Sequence, residues 1–211
     1  MTRNIKNFNI GCAYTLGKNW LNYDSSIITY LLKFPITKIF FKNRPQKKIT
    51  NILYGNIVKN PLCEENYANN IFLSHVLEHM TYVDAQYALK NIFKMLKPGG
   101  CFRIVVPSLE SRILKYINDK NANEFMLSLG IADMNEKNFL KKIKFFFGNS
   151  RHRWMYDKNS LFQILKKNNF KNIRECKFND SKEECFKEIE ELSRFDEKDG
   201  KLPAVAFECT K

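Results

Sequence analysis

Two of the three histidines lie in one short stretch, residues 71–80, which reads IFLSHVLEHM. It contains the pattern His-x-x-Glu-His, formed by His75, Glu78 and His79. On a helix this spacing brings both imidazoles and the carboxylate to one face, as in inverted zinc-protease motifs. Such a site also needs a long helix and a further acidic ligand downstream, whereas the apolar residues before His75 indicate a buried strand. We therefore predict no metal site here and rank a zinc hydrolase last among the functions considered.

A glycine and an acid follow the first two predicted strands. Gly11 comes directly after residues 5–10, and Asp24 ends residues 19–24. A glycine past the carboxyl end of a strand lets the backbone approach a ligand closely, and nucleotides bind at that edge of open α/β sheets. Asp24 is then placed to accept hydrogen bonds from two ribose hydroxyls.

Strand and helix patterns alternate along the chain. The clearest helix is a set of apolar residues at helical spacing before Pro98-Gly99-Gly100, which stops it: Ala85, Ala88, Leu89, Ile92 and Leu96. The predicted strands are residues 5–10, 19–24, 50–54, 71–73, 101–107, 170–178 and 203–210. Further helices are predicted at residues 25–32, 160–168 and 181–192. Alternation of this kind predicts an α/β fold, a parallel sheet with helices on both faces.

The chain is long enough for one domain. Residues 1–211 are predicted to form a single unit, and the helical pattern at residues 109–150 is predicted to be an insertion or lid within it. Hydrophobic residues make up 44% and aromatic residues 14%, which is typical of a folded protein. No apolar run is long enough to span a membrane. Six cysteines without a Cys-x-x-Cys pair, and no secretory signal at the N-terminus, indicate reduced thiols in a cytoplasmic protein.

The formal net charge is +13. Only 8 of the 35 basic residues are arginine, whereas nucleic-acid contacts favour arginine, so a solvated basic surface is a better explanation than a nucleic-acid groove. Residues 33–48 are basic with interleaved aromatic residues. This pattern is typical of a surface connection, and it is also compatible with a peripheral membrane contact. An anionic substrate would benefit from the same charge.

The order of the motifs resembles the class I S-adenosylmethionine-dependent methyltransferases. The resemblance is closest to a small bacterial branch often associated with surface-glycan genes, and it covers nearly the full length. The matching segments are Asn9-Ile10-Gly11-Cys12-Ala13, Trp20-Leu21-Asn22-Tyr23-Asp24, Ser74 to His79, Leu96 to Gly100, and His152 to Asp157. It implies a Rossmann-like, seven-stranded, mostly parallel sheet with the helical insertion after the fifth strand.

The resemblance also implies a site for the methyl donor, S-adenosylmethionine. Gly11, Cys12 and Ala13 would wrap its methionine part, and Asp24 would bind the ribose hydroxyls. The remaining donor contacts would be made by residues that follow the third and fourth strands: Asn56, Ile57, Ser74 and His75. The resemblance makes His-x-x-Glu-His the turn at the lip of this pocket.

On the acceptor side the resemblance implies Arg153, Trp154 and Tyr156 as substrate-binding residues. His75, His152 and Asp157 are the candidates for a general base, which a hydroxyl acceptor needs. Asp157 could equally cap the helix that follows, with Trp154 in the core.

Several functional alternatives remain open. Methylases of nucleobase amino groups usually carry an Asn/Asp-Pro-Pro-Tyr/Phe turn after the fourth strand, but this chain reads Ser74-His75-Val76-Leu77. We therefore expect a small-molecule or glycan-precursor acceptor, with transfer to oxygen. Two residues depart from the family pattern: Ala13 stands where a glycine is expected, and Asn56 stands where an acid is expected. Both favour the alternative of a catalytically degenerate binding or partner protein. A basic nucleic-acid-binding protein ranks below both, and the oligomeric state is not predicted.

Overall fold

The computed structural model describes residues 5–13, 15–31, 51–131, 151–195 and 203–211. The predicted surface connection at residues 33–48 and most of the second half of the predicted insertion therefore lie outside the described residues. The described ranges contain seven strands: β1 (Asn7–Ile10), β2 (Leu21–Asp24), β3 (Ile52–Tyr54), β4 (Ala68–Ser74), β5 (Leu96–Pro107), β6 (Lys171–Glu175) and β7 (Ala204–Thr210).

The seven strands form one mixed sheet in the order β3-β2-β1-β4-β5-β7-β6. β1 lies between β2 and β4 and pairs with both in parallel, while β3 and β5 extend the parallel sheet on either side. β7 is antiparallel to both of its neighbours. The prediction of a Rossmann-like, seven-stranded, mostly parallel sheet is confirmed.

The described helices are α1 (Ile27–Leu31), α2 (Tyr82–Met95), α3 (Leu109–Asp119), α4 (Ala122–Ser128) and α5 (Lys158–Lys167). Helix α2 confirms the clearest predicted helix and begins after Thr81, whose side chain accepts a hydrogen bond from the Asp84 backbone N–H. It ends at Met95 rather than reaching Leu96, because β5 already starts at Leu96. α3 and α4 follow β5 and form the described part of the predicted insertion. No helix within the described ranges is both long and apolar enough to cross a membrane.

One predicted helix is wrong. Residues 181–192 were expected to form an amphipathic α-helix, but this region contains two short 3-10 helices, Glu184–Glu188 and Leu192–Arg194. The buried carboxylate of Glu190, between them, accepts hydrogen bonds from Arg103 and from the backbone N–H of Asn179. This tertiary contact overrides the helical periodicity of the segment.

Alternate residues of the central strands pack on opposite faces of the sheet. In β4, Ile71 and Leu73 belong to the larger core cluster, which includes residues of α2 and α5, and Phe72 belongs to a second cluster. Phe186, from the first of the two 3-10 helices, packs in that second cluster. Helices α2 and α5 therefore pack on one face of the sheet, and the segment of 3-10 helices after β6 packs on the other.

A buried ion-pair cluster lies on the second face. The Arg103 side chain, in β5, is 0% exposed. It donates to Glu190, to Asp180 at 3.1 Å, and to Glu208 at 3.0 Å. A buried charge is tolerated only when it is paired and hydrogen-bonded, so this arginine joins β5, β7 and the segment after β6.

We expect Arg103→Leu to lower the free energy of unfolding by about 3–5 kcal/mol, because buried carboxylates would lose their cation. Urea denaturation followed by circular dichroism measures the change. The matched control is Lys187→Leu, which removes an exposed pair with Glu184 and should cost less than about 1 kcal/mol. Equal losses in the two variants would contradict the structural role of the buried cluster.

Candidate active site

The turn after β1 has a backbone that only glycine accommodates well. Gly11 has a φ of +68°, and a Cβ placed there would lie 2.3 Å from Cγ2 of Val76. The backbone N–H groups of Gly11 and Cys12 both donate to the Tyr23 carbonyl, at 2.8 and 3.0 Å. The turn is thus fixed to the end of β2 and packed against the residues that follow β4.

Asp24 lies beside this turn at the carboxyl end of β2. Its two carboxylate oxygens accept hydrogen bonds from the backbone N–H groups of Ala13 at 3.2 Å and Ser26 at 2.7 Å. A carboxylate offers about four lone-pair sites, so further hydrogen bonds from a ligand are compatible with these two. Ala13 has a φ of +46°, a conformation that favours glycine.

The other predicted donor-site residues lie at the ends of neighbouring strands. Asn56 follows β3, and its side-chain oxygen accepts from the backbone N–H of Val58 at 3.0 Å, which shapes the turn. Ile57 is buried in the larger core cluster. Cys12 is also buried, and burial raises the pKa of its thiol to about 12, so it contributes packing and backbone rather than a nucleophile.

Ser74 ends β4, and its hydroxyl is buried without a hydrogen-bond partner among the described residues. Its carbonyl accepts from the Arg194 guanidinium at 3.2 Å, and the same guanidinium donates to the Thr15 hydroxyl at 3.2 Å. The glycine turn, the spare acceptor sites of Asp24 and this unpartnered hydroxyl all fit a polar ligand at the carboxyl edge of the sheet. These residues therefore fit a nucleoside-type methyl donor.

His75 directly follows Ser74 and has a φ of +55°. Its Nε2 lies 2.9 Å from the Arg194 carbonyl, and its Nδ1 lies 3.5 Å from Oε1 of Glu78. Burial lowers the pKa of His75 to about 4, so the imidazole is neutral at physiological pH. Burial raises the pKa of Glu78 to about 8.

The structure brings the predicted acceptor-side segment onto the His-x-x-Glu-His motif. The backbone N–H groups of Arg153 and Trp154 donate to the Glu78 carbonyl at 2.7 and 3.2 Å. The rings of His152 and His79 meet edge to face, with centroids 5.0 Å apart. Burial lowers the pKa of His152 to about 4. Arg153 and Trp154 are exposed. Trp154 is 45% accessible, with its ring tilted against that of Tyr82 at a centroid distance of 5.1 Å, so Trp154 is not a core residue.

The side chains of Tyr156 and Asp157 have structural roles, one in core packing and the other in helix capping. Tyr156 is 1% exposed and lies in the main core, so it does not present an open face to a substrate as predicted. The Asp157 side chain accepts from the Ser160 backbone N–H at 2.7 Å and caps α5 in a capping box. Tyr156 lies next to the end of β5, and Asp157 lies next to the start of α5. The capping interpretation of Asp157 accounts for its contacts.

Sequence reasoning missed several polar residues of the site. Asn9 and Asn22 were quoted in motifs without a role, and their buried amides bond to each other at 3.1 Å, with the Asn22 amide also bonding the Gly17 backbone. Arg112 is buried and donates to two backbone carbonyls, including that of Ser108 at 2.7 Å. The motif spacing could have suggested the asparagines, but no sequence signal indicates Arg112 or Arg194.

Comparison with known proteins gives one family match. The family model described as a methyltransferase domain matches residues 15–175. A search of curated proteins found no match.

Solved structures with the same fold share little sequence. A SAM-dependent methyltransferase from Archaeoglobus fulgidus is 13% identical, with 97% of this chain and 85% of that chain covered and a TM-score of 0.50. A Thermotoga maritima SAM-dependent methyltransferase, described as a possible histamine N-methyltransferase, is 16% identical, with 98% and 82% covered and a TM-score of 0.51. The YcgJ protein of Bacillus subtilis is 12% identical, with 97% and 91% covered and a TM-score of 0.53. At these identities the likeness concerns the fold.

We expect Asp157→Ala to lower the free energy of unfolding by about 1 kcal/mol at neutral pH, because α5 loses its N-cap. Hydrogen bonds from the Ser160 backbone and hydroxyl hold the pKa of Asp157 below its usual value. The stabilisation is therefore present above the ordinary carboxyl pKa and is lost as the pH falls below about 4. Urea denaturation at several pH values measures the difference between the two proteins.

The matched variant is Asp157→Asn, since asparagine caps helices about as well as aspartate. It should keep most of the stability at neutral pH. A loss in the asparagine variant as large as in the alanine variant would contradict the capping role.

Proposed function

This chain belongs to the methyltransferase-domain family, and we propose that it transfers the methyl group of S-adenosylmethionine to an oxygen atom of a small-molecule or glycan-precursor acceptor. The observation that carries the proposal is the Asp24 carboxylate, which lies beside the Gly11 turn at the carboxyl edge of the sheet with acceptor sites to spare. Ligands of open α/β sheets bind at this edge. A cytoplasmic location is part of the proposal, supported by six unpaired cysteines.

In this proposal the residues at the strand ends bind the donor. Asp24 accepts from the ribose hydroxyls, and the backbone from Gly11 to Ala13 follows the methionine part. Asn56 and Ile57 lie next to the adenine. They offer an amide and an apolar side chain where the family pattern has a charged side chain. The unpartnered hydroxyl of Ser74 is available to a polar group of the donor.

The bound donor supplies an electrophilic methyl group on a sulfonium centre. The protein contributes alignment and exclusion of water, the main catalytic effects available for an in-line displacement. The exposed Trp154 offers an aromatic surface next to the His-x-x-Glu-His motif, on the side we assign to the acceptor. Arg153 extends from the same segment and would attract an anionic acceptor.

His75 and His152 remain the candidates for accepting the acceptor's proton. Both imidazoles are neutral at physiological pH, because burial lowers the pKa of each to about 4. A base works best when its pKa is near the working pH, so these histidines are weak bases. Asp157 is not proposed as a base, since its carboxylate caps α5.

Two features support the acceptor class. The Ser74-His75-Val76-Leu77 turn replaces the Pro-Pro turn common in nucleobase amino methylases. The net charge of +13 favours an anionic small molecule over a cationic one. A phosphorylated or nucleotide-linked sugar is an anionic small molecule with hydroxyl groups as methyl acceptors, so it agrees with both features.

We expect the dialysed protein to bind S-adenosylmethionine and S-adenosylhomocysteine in calorimetric titrations, and Asp24→Ala to weaken both affinities by about 10- to 100-fold. The reason is the loss of hydrogen bonds to a charged acceptor, worth about 1.5–3 kcal/mol. Unfolding of the variant is measured in parallel, because Asp24 also accepts backbone hydrogen bonds.

Asp119→Ala is the matched control, because it removes an exposed carboxylate that pairs with Lys115 on α3. It should leave donor affinity unchanged. Failure of both ligands to bind the folded wild-type protein would contradict the proposal and favour the degenerate, non-catalytic alternative suggested by Ala13 and Asn56.

A further inference from the structure

The carboxylate of Glu78 is buried in an unusual environment. Glu78 is 0% exposed, and neither carboxylate oxygen has a hydrogen-bond partner among the described residues. Nδ1 of His75 lies 3.5 Å from Oε1, and Nε2 of His79 lies 3.9 Å from the same oxygen. A buried carboxylate without a partner costs free energy, so something is expected to occupy the space between these atoms.

Three histidines around Glu78 have their ring orientations fixed from outside. His75 Nε2 faces the Arg194 carbonyl at 2.9 Å, His79 Nδ1 faces the Arg151 carbonyl at 3.1 Å, and His152 Nδ1 faces the Leu129 carbonyl at 2.8 Å. Because a carbonyl can only accept, each of these ring nitrogens carries the hydrogen in the neutral imidazole.

The opposite nitrogen of each ring therefore has a free lone pair. For His75 and His79 this nitrogen is the one that faces the Glu78 carboxylate. A ligating histidine in metalloproteins almost always donates its other N–H in this way. The ligand atoms of Glu78, His79 and His152 lie within 4.8 Å of one another.

We propose that Glu78, His79 and His152 bind a divalent transition-metal ion, with His75 beside the site. Imidazole nitrogens with one carboxylate oxygen suit zinc, cobalt or nickel better than calcium or magnesium. Metal–ligand bonds of about 2.0–2.2 Å require the side chains to close by about an ångström, within the reach of small rotations about their side-chain bonds.

The surrounding backbone holds the two ligand segments together. The Glu78 carbonyl accepts from Arg153 and Trp154, and the His152 N–H donates to the Gly130 carbonyl at 3.0 Å. A side chain at Gly130 would lie 2.6 Å from His152 Nδ1, so this loop packs directly on the ring. The ligands thus come from two segments far apart in sequence that are fixed to each other.

This geometry differs from the metal site considered from the sequence. That site needed a long helix carrying both histidines and an acid downstream, whereas Leu77–His79 is one turn of 3-10 helix and the additional ligand is His152. The nearby Arg112 guanidinium is engaged by backbone carbonyls of Ser108 and Ser128, which leaves the Glu78 oxygens open to a cation.

One side of the proposed site is open. The side chains of His75 and His79 are 30% and 23% exposed, while Glu78 forms the buried wall. A metal held by the buried carboxylate and the imidazoles would keep a coordination position accessible to water or to a small ligand, as in catalytic rather than structural zinc sites.

The proposal is tested on tag-free protein treated with a chelator and dialysed, using Zn²⁺ and Co²⁺ as probes in the absence of methyl donor. We expect one ion per chain by elemental analysis, a visible Co²⁺ absorption band displaced by Zn²⁺, and a higher unfolding temperature with metal. Glu78→Gln and His152→Gln should each weaken Zn²⁺ affinity at least 10-fold, with both variants shown to be folded by circular dichroism.

Two controls identify the source of any binding. Cys63→Ser and Cys185→Ser remove the two thiols that are not fully buried, and both should leave the affinity unchanged. Asp24→Ala should also leave it unchanged, which separates this site from the donor site. No stoichiometric binding to the wild type, or binding that survives Glu78→Gln and His152→Gln, would overturn the proposal, and the gap beside Glu78 would then hold a proton shared with His75.

Discussion

The parallel pairing of β1 with both β2 and β4 determines where the candidate site can form. Because all three strands run in the same direction, the residues that follow them meet at one edge of the sheet. Gly11, Asp24 and His75 come from three separate chain segments. Gly11 nevertheless packs against Val76, the residue after His75, and the backbone of the Gly11 turn donates hydrogen bonds to β2, the strand that ends at Asp24. The antiparallel β7 and the Arg103 cluster stabilise the sheet without contributing to this edge.

Burial controls the electrostatics of the motif at the end of β4. Withdrawal from water lowers the pKa of His75 and His152 and raises that of Glu78, so these groups favour their uncharged forms. A buried carboxylate facing imidazole lone pairs is stabilised by one shared cation, either a proton or a metal ion. The same stretch that borders the donor site therefore has a second, separate chemical capacity, directed towards the acceptor segment.

The sheet, helix α2 and the Asp24 position could be predicted from local sequence, because strand alternation, helical spacing and a glycine after a strand each act over few residues. Tertiary contacts decided the remainder. Tyr156 is in a polar-looking motif but is buried, and Asp157 is engaged by the start of α5. Arg194 joins the loops after β1 and β4 from a position about 120 residues downstream of Ser74, and no local pattern indicates such a contact.

The donor site proposed for this protein is the carboxyl edge of the sheet beside Asp24. A crystal structure of the protein with S-adenosylhomocysteine tests it most directly. We expect the ribose hydroxyls against the Asp24 carboxylate, the adenine next to Asn56 and Ile57, and the sulfur facing the segment from Ser74 to His79. A ligand bound elsewhere, or an empty edge at saturating ligand concentration, would contradict it.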